Sequence, residues 1–87
     1  MFRIGDIAHC IDDSGAARDE GVLKGHNYQV IDVVQYAHGE CEVLISYPNS
    51  PTPISAYRHT YRQDRFIYIR HQPVFLPESN SWIKEGF

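Results

Sequence analysis

Apolar and polar residues alternate with a period of two along much of this chain, and the alternation stops wherever glycine, proline or clustered polar residues intervene. The clearest run is 27–36, where Tyr28, Val30, Asp32 and Val34 share one face and Gln29, Ile31 and Val33 the other. It predicts a long strand approached through Gly21 and Gly25. Upstream, 7–11 predicts a shorter strand with Ile7, His9 and Ile11 on one face. Downstream, 41–47 sets Cys41, Val43, Ile45 and Tyr47 toward a core and Glu42, Leu44 and Ser46 away from it. The polar turn Ala37-His38-Gly39-Glu40 joins the second and third strands as a hairpin. Weaker alternation at 54–57 and a run at 66–69 complete about five strands.

The connectors carry their own signals. Asp12-Asp13-Ser14-Gly15 is turn chemistry, since Asp and Ser side chains bond nearby amides and Gly tolerates positive φ. Residues 14–25 then form a polar loop in which 16–20 allows one helical turn, too short to stand alone. Pro48, Pro51 and Pro53 remove three backbone donors, so 48–53 reads as a loop, and 58–64 as a segment with a 3₁₀ turn. Short strands at close spacing with one long early loop predict a small all-β barrel over 1–70. Residues 71–87 form a C-terminal extension whose apolar weight (Val74, Phe75, Leu76, Trp82, Ile83) packs either on the barrel or on a partner, a second copy included.

Eighty-seven residues build one core and no second one. No apolar run approaches the roughly 20 residues of a spanning helix, and the N-terminal residues lack the apolar stretch of a secretory signal. The expectation is a cytoplasmic protein without membrane contact. Cys10 and Cys41, each inside a predicted strand, read as buried free thiols.

Several motifs occur together: Gly5-Asp6 before the first strand, Cys10-Ile11-Asp12-Asp13-Ser14-Gly15 closing it, Leu23-x-Gly25-x-x-Tyr28-x-Val30 opening the second, and Tyr61-x3-Arg65-Phe66 before the last. On these motifs residues 2–69 resemble the small SH3-like barrel proteins of tailed bacteriophages and prophages. The resemblance implies an SH3-like barrel and a phage-borne accessory protein that acts by binding in the bacterial cytoplasm, with inhibition of a host protein among the roles. It implies no active site. The proline-rich loop 48–53 departs from the family's tighter turn.

Charge gives the candidate surface. The net charge is -3, yet 58–71 holds Arg58, Arg62, Arg65 and Arg70 against Asp64 alone, a basic strip on an acidic body. Tyrosine and arginine dominate protein interfaces, which singles out Tyr57, Arg58, Tyr61 and Arg62, with Trp82 from the extension, as partner-binding residues. The alternative is nucleic-acid binding through Arg58, Arg62, Arg65 and Arg70, with aromatic rings stacking on bases; the acidic remainder opposes it.

Other chemistry is poorly supported. Asp12, Asp13, Asp19 and Glu20 lack calcium-loop spacing and read as a solvated loop. His38-x2-Cys41 and His9-Cys10 lack the paired geometry of a zinc site. Neither cysteine has a catalytic signature, and no glycine-rich phosphate cradle occurs. The expectation is a non-enzymatic binding module without cofactor or metal.

Overall fold

The computed structural model describes residues 1–72. It contains β1 (Asp6–Cys10), one helical turn α1 (Ala16–Asp19), β2 (Asn27–Gln35), β3 (Cys41–Ser46), β4 (Tyr61–Arg62), a 3₁₀ turn at Gln63–Arg65 and β5 (Phe66–His71). The strands form one antiparallel sheet in the order β4-β3-β2-β1-β5. The all-β expectation of about five strands holds at that level. The sheet itself is open, with β4 and β5 as its edges. Of the predicted extension, residues 73–87, Trp82 included, lie outside the described residues, and His71 ends β5.

The core gathers residues from every strand and from the loop after β1. Ala8 and Cys10, Tyr28 and Val30, Val43 and Ile45, Tyr61 and Phe66 all contribute, joined by Phe2, Ala17 and Val22. Burying these apolar side chains is the main stabilising term, at about 25 cal/mol per Å² removed from water. Tyr28 also fixes the long loop: its hydroxyl accepts from the Leu23 amide at 2.8 Å and donates to the Gly21 carbonyl at 3.2 Å. Both thiols are buried and free, and burial pushes the Cys10 thiol above its ordinary pKa.

Four expectations need correction. In β2 a bulge at Ile31 shifts the register from Val30↔Ile45 to Asp32↔Leu44. The extra residue reverses the faces, so Asp32 stays exposed and Val33 packs against the core. Strict alternation would have aimed an unpaired carboxylate inward, which is costly. In β1 the core face belongs to Ala8 and Cys10, and Ile11 falls beyond the strand, exposed.

In β3 the strand ends at Ser46 because the chain turns at Pro48-Asn49, so Tyr47 is 59% exposed, its ring 6.1 Å from that of Tyr28. Leu44, expected outward, is buried. Residues 54–57 form no strand. Pro53 makes a single bridge to Ser46, Ile54 donates to the Ile45 carbonyl at 3.0 Å, and a turn closed by Arg58 N–H to the Ser55 carbonyl then leaves the sheet.

The middle of the sheet's second face is buried around one polar side chain. Ile7, Gln29 and Ser46 oppose one another across three strands. Gln29 is fully buried, and its amide donates to the carbonyls of Gln72 (2.9 Å) and Gly5 (3.3 Å) while its oxygen accepts from the Asn49 amide (3.0 Å). Gly5 can sit there because it takes φ of 101° and leaves room; a Cβ would stand 3.0 Å from the Gln72 carbonyl oxygen. Beside it the buried Asp6 accepts from the Arg3 amide and pairs with His71 at 2.7 Å.

Replacing Gln29 with leucine keeps much of its volume and leaves the Asn49 amide and the Gln72 carbonyl without this partner. The expected loss is about 2–4 kcal/mol in urea unfolding. A change below about 0.5 kcal/mol, the scale of an ordinary surface substitution, would show that these bonds do not hold the sheet.

Candidate functional site

The segment from Ser55 to Arg62 rises from the sheet and returns to it as β4. Its tip is Tyr57-Arg58-His59. Tyr57 is 83% exposed, and its ring stacks on His59 with centroids 5.8 Å apart. Arg58 adopts a left-handed φ of 57°, which non-glycine residues rarely take, and makes no ion pair among the described residues. Such backbone persists only where its surroundings fix it.

Two glutamates fix it. Glu20, at the end of α1, accepts the Tyr61 hydroxyl at 2.6 Å on one oxygen and holds His59 Nδ1 on the other. Glu42, on β3, accepts the Thr60 hydroxyl at 2.5 Å and the Tyr36 hydroxyl at 3.4 Å. These bonds hold the Glu20 carboxyl below its ordinary pKa, the Tyr61 hydroxyl first and His59 second. The Tyr61 phenol moves the other way, pushed up by burial and by its bond to the carboxylate, so it remains a neutral donor. The Ser55 hydroxyl lies near enough to temper that push without reaching hydrogen-bond geometry. Glu20 and Glu42 share a cleft of about 340 Å³ with His59, Tyr61, Arg62 and Arg65.

The structure separates the residues that the sequence groups together. Tyr57 and Arg58 are surface residues at one tip. Tyr61 is only 6% exposed and belongs to the core, so it supports the tip from beneath. Arg62 is exposed but shared between Glu40 (3.4 Å) and Asp64 (3.3 Å).

Arg65 is a clamp: it donates to the carbonyls of Ser14 (2.9 Å) and Asp12 (3.2 Å) and pairs with the Asp12 carboxylate (3.6 Å). Arg70 lies on β5 and donates to Gln72. Two of the four arginines proposed for nucleic acid are therefore neutralised within the chain. The acidic loop is not simply solvated either. Asp12 caps Ser14, Asp13 accepts from Lys24 and Arg18, and both carboxyls sit below their ordinary pKa, chiefly through Ser14 and through the Lys24 amide.

Sequence reasoning missed Glu20 and Glu42 as supports of the tip. The one local signal was the His59-x-Tyr61 spacing, which sends two hydrogen-bonding side chains the same way from extended backbone. Among the described residues no group of three or more His, Cys, Asp or Glu side chains converges as a metal site. Compared with protein-family models, with curated proteins and with solved structures, the chain matches none of them.

Glu20, Asp12 and Asp13 share one sign. Each is depressed in the folded state, so each contributes stability above the ordinary carboxylate range that is lost as pH falls from that range through the lowered folded-state pKa. Glu20→Gln should lower the urea midpoint at pH 7 and flatten the loss of stability below about pH 4.5, the ordinary pKa of a free glutamate. An acid limb as steep as that of wild type would show that Glu20 is not held as described.

Proposed function

We propose that this chain is a non-enzymatic protein-binding module of SH3-like build that engages its partner through the Tyr57-Arg58-His59 tip. The observation that carries this reading is the tip itself: an exposed tyrosine and an arginine without an ion pair among the described residues, held on a braced base. Rigid aromatic and arginine side chains supply contact area and donors at low entropic cost, and prior ordering removes part of the cost of association.

The SH3-like reading draws support from three features. β2 is shared between both halves of the sheet, a long loop follows β1, and a 3₁₀ turn precedes the last strand. The phage or prophage setting, and inhibition of a host protein as its outcome, rest on the sequence resemblance alone. The nucleic-acid alternative is weaker, because Arg62 and Arg65 already face the chain's own acids.

Immobilised full-length protein should capture a specific protein from a bacterial lysate. The double variant Tyr57→Ala, Arg58→Glu should weaken that capture by about 30-fold or more, the scale of losing a hot spot. Equal retention by both proteins would overturn the choice of surface. Tight binding of a single-stranded oligothymidine at ~50 mM salt that collapses as salt rises would instead favour nucleic acid.

A further inference from the structure

A second cleft, of about 310 Å³, lies between the end of α1 and the turn that carries the tip. Its walls differ in chemistry. Asp19 and Glu20 form one side, and Ile54, Ala56 and Tyr57 the other. Glu20 has committed both oxygens to His59 and Tyr61. Asp19 is exposed and makes no ion pair among the described residues. Ser55 also lines the cleft, and its hydroxyl is buried without a hydrogen-bond partner among the described residues. Arg58, the neighbouring cation, is not part of the walls.

We propose that this cleft receives a lysine or arginine side chain of the protein partner, a proposal that deepens the protein-binding reading and rests on it. A long cationic side chain has an alkyl stem and a charged head, and this cleft separates the surfaces that suit them. The stem lies along Ile54, Ala56 and Tyr57. The head meets the Asp19 carboxylate, and Ser55 offers an unused acceptor to a group that only donates. An anionic group would face two carboxylates. A purely apolar one would desolvate Asp19 without compensation.

The test is an amide NMR titration of the full chain with Nα-acetyl-arginine methylamide, with the norleucine analogue as the uncharged control. The expected result is saturable shifts centred on residues 19–20 and 54–57, several-fold smaller for norleucine. Asp19→Asn should weaken the arginine probe about threefold, in line with the loss of a partly exposed ion pair. Absent shifts, equal shifts from norleucine, shifts spread alike over Asp32 and Asp64, or an unchanged Asp19→Asn titration would each overturn the assignment. In lysate capture, Asp19→Asn should reduce the retained partner. If it does not, while Tyr57→Ala, Arg58→Glu abolishes capture, the cationic-cleft assignment falls and the protein-binding reading stands.

Discussion

One buried carboxamide, that of Gln29, joins three parts of the chain that lie far apart in sequence. Its partners lie 20, 24 and 43 residues away, in the turn after β3, before β1 and beyond β5. A buried amide left unpaired costs about 1–3 kcal/mol, more than the roughly 1 kcal/mol that a made hydrogen bond contributes net, so each contact is effectively obligatory. Gly5 matches this demand from the other side, since Gln72 donates back to the Gly5 carbonyl and approaches too closely to tolerate a Cβ. Apolar packing supplies most of the stability, whereas this polar knot sets where the open sheet's segments begin and end.

The knot bears on function through the loop that starts at Tyr47. Asn49 is held by Gln29 at the start of that loop, and Ile54 is hung on β3 at its middle. Glu20 and Glu42 receive its end through His59, Tyr61 and Thr60. A proline-rich loop of this length is thus fastened at three places, and the stretch around Tyr57 and Arg58 is exposed between the last two. The energy invested in these polar contacts reads as pre-organisation of the tip. The cleft beside it, acidic on one wall and aromatic on the other, extends the same surface toward α1.

Most of the scaffold was legible because its causes are local. Alternation in 27–36 and 41–47 marks a hairpin, and Gly39 between them adopts the positive φ of 95° that such a turn needs. What escaped depends on distant partners. The bulge at Ile31 left a single trace, an aspartate at an apparently inward position, and only the pairing with β3 shows how it is accommodated.

The tyrosines look alike in sequence; Tyr61 is core because it opposes Val43, while Tyr57 sits on a turn and Tyr68 on an edge strand. The burial of Gln29, a polar residue, has no local signal, because Gly5, Asn49 and Gln72 converge on it from far along the chain. The arginine strip was visible as composition, but its division into clamp, paired surface residue and unpaired tip residue was not.

Held by Glu20 and Glu42, the Tyr57–His59 tip should be rigid before any partner arrives. Backbone ¹⁵N relaxation of the full chain tests this directly. The expected order parameters for residues 55–60 are near those of the β-strands, about 0.85. Values below about 0.6 across the same residues would contradict it, since a tip that samples many conformations is not braced by Glu20 and Glu42.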